Sequence, residues 1–472
     1  MVELQQRIQD KQSLVIRQIA RDRAQQLSDY RFLDNPRVTP QALVQQLSTD
    51  CFAQCQPAEH YLAVQDTSEL NFSAHQQRLN LNRPGLGVVG NNVDLGFFIH
   101  PTMLIHPVSQ QILGFSNVQL WTRPIKRAKQ RDQIYKKLSF EYKESVKWLR
   151  AAQQTMQAET IKRQSITITM VSDRESDAYE YFRQRPAQVQ LLVRVRCDRL
   201  IRLSNQAQPD HSDQAPLTHS VPRKPLLLYA LLLEQRVAGS FELNLEADPR
   251  HKRAARTALL ELRWTRVELN APKALKRIAG QQYQAQPVYA IEVREHPSTI
   301  PIGEDGVLWR LLTTHEIDSF QAAQQVVGWY KLRWLIELFF AALKGAGLKI
   351  EDSQLESGLA LQRLALLAFP AALKVMQLQR GRMDDRSSCE KIFSLSEIRV
   401  LNELSHDLQG RTLKQCCCYP FGSMAWSAWV IARLGGWNGY ASERPPGVRT
   451  YHLGLKRFEA LMSGWNLAHQ DV

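Results

Sequence analysis

The spacing of apolar positions changes character several times along the chain. Over residues 3–29, Leu4, Ile8, Leu14, Ile16, Ile19 and Leu27 stand among polar residues at roughly helical spacing. The turn LDNPR at 33–37 ends that pattern, because Pro36 disfavours helix at Asn35. A second short helix is predicted around residues 41–47, with Thr39 as its cap and Pro40 at its first position. From residue 60 the pattern becomes strand-like: YLAVQD (61–66), VDLGFFIHPTMLIHP (93–107) and QQILGFSNVQLWTR (110–123) are apolar, β-branched and aromatic runs broken by turn residues. Residues 124–147 are Lys/Arg-rich with few large apolar side chains, so they predict a basic surface loop leading into a helix near 143–157. SITITMVSD (165–173) predicts another buried strand, followed by a helix near 176–184 and a strand at 189–196.

Strands followed by a helix and a further strand predict an α/β core. Residues 200–295 differ, with SFELNLEA, ALLELRWTRVEL and YAIEVRE alternating between apolar and polar side chains as antiparallel strands do. Past residue 315 the spacing is helical over 319–343, 357–379 and 395–406, followed by a tail containing SMAWSAWVIARLGG (423–436) and a final helix near 453–465. Three parts are therefore expected: a helical N-terminal region (1–58), an α/β core (59–378) with a β insertion at about 200–300, and a helical C-terminal region (379–472). No internal repeat or low-complexity segment is evident.

Composition narrows the function more than the fold. A net charge of +14 favours a polyanionic partner, since clustered Lys and Arg gain affinity by releasing the counterions condensed on a phosphate backbone. No window reaches the roughly 18 uncharged apolar residues of a membrane span; the closest, around 364–373, is bounded by Arg363 and Lys374. The opening MVELQQRIQDKQ is charged and lacks an apolar signal core. A cytoplasmic, reducing location without membrane contact is therefore expected. The seven cysteines include Cys51, Cys55 and the run Cys416, Cys417 and Cys418, but they form no paired zinc hooks and are expected to be buried or incidental thiols.

Three carboxylates carry the candidate chemistry. Phosphoryl transfer to water or a 3′-hydroxyl calls for two divalent ions about 4 Å apart, bound by hard oxygen ligands. Asp66 ends one apolar strand (AVQD) and Asp173 another (TMVSD), which puts both at the carboxyl edge of a sheet, where open α/β sheets place their sites. In VVGWYKLRWLIELFFAALKGAG, Tyr330, Arg333, Glu337 and Lys344 follow the spacing Y-x2-R-x3-E-x6-K, and on one continuous helix those steps share a face. Glu337 is flanked by Trp334, Leu335, Ile336, Leu338, Phe339 and Phe340, a setting in which a carboxylate needs a partner or a metal. The competing reading of Arg333 and Glu337 is an ordinary i,i+4 salt bridge on an amphipathic helix. His100 and His106, flanking a strand pair, are expected to be structural histidines rather than ligands, since carboxylates are available and no H-x3-H helix is present.

These motifs resemble the DDE transposases of the bacterial insertion-sequence family four. The resemblance runs from about residue 30 to the C-terminus and includes YRFLDNP (30–36), LAVQDTSEL (62–70), KESVKWL (143–149), SDRESDAYEYF (172–182), the Y-x2-R-x3-E-x6-K segment and IARLGG (431–436). It implies a ribonuclease-H-like sheet on which Asp66, Asp173 and Glu337 bind two Mg²⁺ or Mn²⁺ ions. It further implies that Tyr330, Arg333 and Lys344 hold phosphates of the transposon end, that Trp309 stacks on a flipped base, and that Arg194 and Arg196 make further DNA contacts. The residues alone would make Trp309, in VLWRLL, a core strand aromatic. The implied activity is cut-and-paste transposition by successive in-line displacements: end nicking, hairpin formation and opening, then strand transfer. The implied partners are double-stranded DNA, both transposon ends and target, and a second copy of the chain bridging paired ends through the C-terminal helix. The N-terminal DNA-reading region is expected to be shortened relative to that family. Two rivals use the same pattern: a nuclease of the same fold that cuts without joining, and a non-catalytic DNA-binding or dimerising regulator.

Overall fold

The computed structural model describes residues 2–125, 138–158, 165–203, 226–245, 254–272, 275, 283–440 and 443–469. Most of the stretch expected as a basic loop, 126–137, and several parts of the β insertion lie outside these residues.

Four helices open the chain: α1 (Val2–Lys11), α2 (Ile16–Ile19), α3 (Arg23–Asp34) and α4 (Pro40–Phe52). Thr39 caps α4 by accepting the Ala42 N–H, with Pro40 in its first turn, as the sequence predicts. Leu4, Ile8, Ile16, Ile19 and Leu33 are buried in the same hydrophobic cluster as the main core, so these helices are packed onto the rest of the molecule. The buried Arg363 ties them down by donating to the Leu33 and Val38 carbonyl oxygens, which satisfies backbone groups left open at the end of α3.

The centre is a mixed sheet of 13 strands among the described residues. Its first half comprises β1 (His60–Gln65), β2 (Ser68–Asn71), β3 (Gly87–Val88), β4 (Leu95–Ile105), β5 (Ile112–Trp121), β6 (Thr167–Ser172) and β7 (Val189–Arg194). The order through its middle is β5, β4, β1, β6, β7; β4 is antiparallel to β1 and β5, whereas β1, β6 and β7 are parallel. Parallel neighbours need a crossover, and the helices α5 (Val146–Gln157) and α6 (Tyr179–Gln184) lie in those connections. Beyond β7 the sheet continues through the insertion: β8 (Leu200–Leu203), β9 (Leu226–Leu227), the helix α7 (Leu228–Glu234), β10 (Gly239–Leu245), β11 (Arg256–Leu269), β12 (Gln286–Glu295) and β13 (Leu308–Thr313). All of these strands pair antiparallel, and β13 joins the edge of β7 with Leu311 opposite Arg194.

Strand side chains alternate faces, and here the two faces separate two cores. Leu62, Val64, Val171, Leu192, Ile291, Val293 and Leu311 belong to one, and Ala63, Met170, Leu191, Val193, Ala290 and Leu312 to the other. The second face is covered by α5 and α6 through Trp148, Leu149, Tyr181 and Phe182. The first is covered by the helices that follow the sheet: α8 (Phe320–Lys331), α9 (Leu335–Leu343), α10 (Gly358–Leu367) and α11 (Phe369–Gly381). The C-terminal part adds α12 (Leu395–Asp407), α13 (Met424–Leu434) and α14 (Val448–Ala468).

Two helical expectations are corrected. The predicted helix over 319–343 is two helices, α8 and α9, joined by a 3₁₀ turn at Leu332–Trp334. The predicted helix over 357–379 is α10 and α11 meeting at Ala368, where Pro370 occupies the first turn of α11 and has no N–H to continue the ladder. The stretch Gly358–Gly381, which contains Arg363 and Lys374, passes a length-and-composition test for crossing a membrane, but 83% of its most apolar window is buried inside the protein, as in a core helix. Cys51, Cys55 and Cys389 are buried, and the described cysteines are free thiols.

Candidate active site

The β1–β6 pairing runs from His60 opposite Thr167 to Val64 opposite Val171. Continued by two residues, that register sets Asp66 beside Asp173, each one residue past the carboxyl end of its strand. Adjacent strands are about 4.8 Å apart, so the two carboxylates share one sheet edge and one level. Parity puts both on the face of Val64 and Val171, the face that α8 and α9 cover.

Asp66 stands at an interruption in a longer ribbon. β1 and β2 hold the same register against β4, with Gln65 opposite Thr102 and Ser68 opposite Ile99, so the break falls at Asp66 and Thr67. Pro101, which brings no N–H to the ladder, stands opposite Asp66. The Thr67 N–H is accepted by the Asp66 carboxylate at 2.7 Å. Asp173 likewise turns back on its own chain, accepting the Glu175 N–H at 2.9 Å as the cap of a 3₁₀ turn, Arg174–Ser176.

The α8–α9 segment supplies the third carboxylate and a cation between the acids. Arg333, in the 3₁₀ turn, donates to Asp66 Oδ2 at 3.0 Å and to Glu337 Oε1 at 2.6 Å. The ordinary i,i+4 pair is therefore present, and it extends across to the sheet edge. Burial pushes the Asp66 carboxyl up to about 6, with Asp173 and Glu337 adding to the rise and the Thr67 N–H and Arg333 opposing it. This is a crowded, incompletely neutralised acidic site.

The four motif residues do not line one helix face, because the 3₁₀ turn intervenes and Lys344 lies just past the end of α9 in a non-helical conformation. Tyr330 is buried, with Arg333, Arg194 and Asp173 close enough to act on its phenol, which burial holds above its ordinary value. Lys344 donates to the Glu69 carbonyl oxygen at 2.9 Å and pairs with Glu351 at 3.1 Å. That anchors the end of α9 to β2.

Trp309 is half-buried on β13, its ring 6.2 Å from that of Tyr330 in an edge-on arrangement. It lies on the same face as Leu311, and Arg194, opposite Leu311, shares that face. Arg196 is exposed just beyond β7. Its N–H bonds Asp177, and it lines an open cleft with Asp173, Lys143, Glu175 and Glu180.

Beneath the two aspartates runs a buried chain of polar groups that no spacing in the sequence announces. The His100 ring meets Thr67 Oγ1 at 2.9 Å through Nδ1 and Gln65 Oε1 at 3.0 Å through Nε2. Gln65 Nε2 donates to the Tyr181 hydroxyl at 3.0 Å, and Tyr181 is also hydrogen-bonded to Ser172. Ser172 Oγ meets Ser176 Oγ at 2.8 Å, and Ser176 donates to the Asp173 carbonyl oxygen at 2.7 Å. Gln65, His100, Ser172, Ser176 and Tyr181 are all buried. His100 lies within β4 rather than flanking it, and burial together with Lys147 holds it well below the usual imidazole range. His106 accepts the Val108 and Ser109 N–H groups in a turn. Both behave as satisfied structural histidines.

Asp66, Asp173 and Glu337 are hard oxygen donors, the kind that suits Mg²⁺ or Mn²⁺, and their mutual repulsion favours a cation. With the Arg333 guanidinium lying between Asp66 and Glu337, no three His, Cys, Asp or Glu side chains among the described residues converge closely enough to share one ion. The donor chemistry fits a divalent pair, and Arg333 is the group such a pair must move aside. No model of a known protein family matches the chain.

Proposed function

We propose that this chain is a DDE transposase, a metal-dependent enzyme that cuts and joins DNA at the ends of an insertion sequence. The observation that carries this reading is the in-register placement of Asp66 beside Asp173 at one sheet edge, with Glu337 linked to Asp66 through Arg333. The strand order β5, β4, β1, β6, β7, an antiparallel meander followed by two parallel strands, supports a ribonuclease-H-like core. On this reading Asp66, Asp173 and Glu337 hold two Mg²⁺ or Mn²⁺ ions, which when bound stabilise charge on the attacking and leaving oxygens of an in-line displacement.

The protein's own groups supply position and charge. Asp66 and Asp173, fixed by strand register and by hydrogen bonds to Thr67 and Glu175, need no rearrangement of the backbone to act as ligands. Arg333, released from the carboxylates, is placed to neutralise a phosphate of the bound strand, and Arg194 and Lys344 extend the positive charge to either side. Trp309, half-buried beside Tyr330, offers a flat apolar surface to a base expelled from the duplex. On this reading a second copy of the chain would hold the other DNA end at synapsis.

The test uses duplexes taken from the DNA on either side of the reading frame, chosen for any inverted repeat found there. With Mg²⁺, the wild-type protein nicks the end and transfers the free 3′-end to target DNA. Asp173→Asn abolishes both steps while DNA binding is retained, since an anionic ligand is lost and the phosphate-holding cations remain. Cleavage without joining would favour the nuclease reading, and binding without any cleavage the regulatory one.

A further inference from the structure

Two histidines far apart in sequence meet on the face of the sheet that α8 covers, at the end away from the carboxylates. His60 opens β1 on the same face as Leu62 and Val64, and Thr169 of β6 shares that face with Val171. His315 follows β13, its N–H donating to Thr313 Oγ1 at 3.1 Å. His60 Nε2 lies 2.7 Å from Thr169 Oγ1, and His315 Nε2 lies 2.7 Å from the same oxygen. The two rings are 5.8 Å apart between centres, and they pack against Trp329 of α8 at 4.9 and 5.0 Å. Thr169 is fully buried and both imidazoles are half-buried, so solvent reaches the rings but not the hydroxyl they share.

A hydroxyl carries one proton, so Thr169 can donate to only one of the two nitrogens, and the other ring must supply its own N–H. When both rings carry their proton on Nδ1, two bare Nε2 lone pairs converge on one point. Burial holds His60 down to about 4, with His106 adding to the effect and Glu59 opposing it, and burial holds His315 down to about 4, with His60 adding. Both rings are therefore neutral near pH 7, and no charge-bearing proton has to leave before an ion binds. An imidazole nitrogen binds such an ion at about 2.0–2.1 Å. That is about 0.6 Å inside the present 2.7 Å separations, so a small inward movement of each ring, with Thr169 turned to another rotamer, seats an ion where the hydroxyl oxygen stands. Imidazole suits Zn²⁺, Ni²⁺ and Cu²⁺, whereas Mg²⁺ takes oxygen ligands.

We propose that His60 and His315 form a binding site for one transition-metal ion of the Zn²⁺, Ni²⁺ or Cu²⁺ kind, with water completing its coordination. The site is separate from the carboxylates: His60 is six residues from Asp66 along β1, about 20 Å at the rise of an extended strand. It does not depend on the transposase reading. An ion held there ties β1 to the connection between β13 and α8, the two elements that carry Trp309 and Tyr330.

Calorimetric titration of the untagged protein with NiCl₂ tests the site. Excess Mg²⁺ keeps hard oxygen ligands occupied, and N-ethylmaleimide blocks the accessible thiols. The wild type should bind one equivalent of Ni²⁺, and its Tm should rise with Ni²⁺ concentration, because the ion binds the folded state. His60→Gln and His315→Gln should each lose both the equivalent and the rise in Tm. Replacing the exposed His406 as His406→Gln should preserve both. Electron paramagnetic resonance of the wild type with one equivalent of Cu²⁺ reads the ligands without any variant, so it decides the matter even where a glutamine variant does not fold. Splitting from two imidazole nitrogens is expected. The proposal is overturned if the wild type binds no Ni²⁺, if either glutamine variant folds and keeps the equivalent, if His406→Gln loses it equally, or if the Cu²⁺ spectrum lacks the two nitrogens.

Discussion

Asp66 and Asp173 stand side by side because β1 and β6 are parallel and paired without a slip, so two strand ends reach the same edge at the same height. The cost of that arrangement is electrostatic. Burial, Asp173 and Glu337 together lift the Asp66 carboxyl to about 6.

Asp66 therefore weakens the metal-free protein at neutral pH. Its folded value lies above the unfolded one of about 4, so the folded state binds the extra proton between those values and the Asp66 contribution to stability declines as pH rises from about 4 to 6. Asp66→Asn should stabilise the metal-free protein at pH 7–8 by on the order of 2 kcal/mol, with little effect below pH 4. Thermal unfolding in EDTA across that range measures this, and an equal or lower Tm for the variant at pH 8 would contradict it.

Arg333 competes with divalent ions for the same oxygens. Removing it as Arg333→Ala should tighten Mn²⁺ binding in the absence of DNA by about 10-fold, since two charge-assisted hydrogen bonds no longer have to be broken. On the transposase reading the same variant should cleave DNA poorly, because the guanidinium that would neutralise a phosphate is gone. Titration followed by electron paramagnetic resonance reads the first effect and a gel assay the second. Weaker Mn²⁺ binding by Arg333→Ala would show that the guanidinium organises the ligands instead of occupying their place.

Tyr181 reaches both aspartates only through other side chains, by Gln65 and His100 to Thr67 and by Ser172 and Ser176 to Asp173. Tyr181→Phe keeps the buried ring and deletes one hydroxyl. It should raise the Mn²⁺ concentration needed for half-saturation by 10-fold or more, as losses behind metal ligands commonly do, while lowering stability by only about 1 kcal/mol. Unaltered Mn²⁺ affinity in a well-folded Tyr181→Phe protein would reduce this chain of groups to ordinary core packing.

Trp309 separates base stacking from packing by kinetics. Trp309→Ala should slow hairpin formation or opening and spare the first nick, which acts on an undistorted duplex. Being half-buried, the side chain costs less to truncate than the 3–5 kcal/mol of a fully buried tryptophan. A labelled-end time course resolving nick, hairpin and double-strand break is the measurement. Uniform slowing with a depressed Tm would make Trp309 a packing residue.

The elements that carry the acids are readable in the sequence because each is an apolar run ended by a carboxylate, and AVQD and TMVSD become β1 and β6 within a residue or two. Their pairing is not readable, since register between segments so far apart is decided by which faces bury, not by local pattern. The alternation in ALLELRWTRVEL marks β11, yet nothing local tells that β13 would join β7 and make the insertion part of the same sheet. The 3₁₀ turn at Leu332–Trp334 is invisible because the residues on both sides favour helix equally. One signal for the buried polar chain was present: Gln65 interrupts an apolar strand, and an amide buried there requires partners.

β13 is stitched to β7 by backbone hydrogen bonds, and β7 to β6, so Trp309 and Asp173 ride on one stiff plate two strands apart. A plate of this kind does not close around what it holds. On the transposase reading, bringing a base to Trp309 while a phosphate stays at Asp173 would leave the bending to the nucleic acid, and mechanical compliance in the duplex, greatest at pyrimidine–purine steps, would then help decide which ends are processed fast.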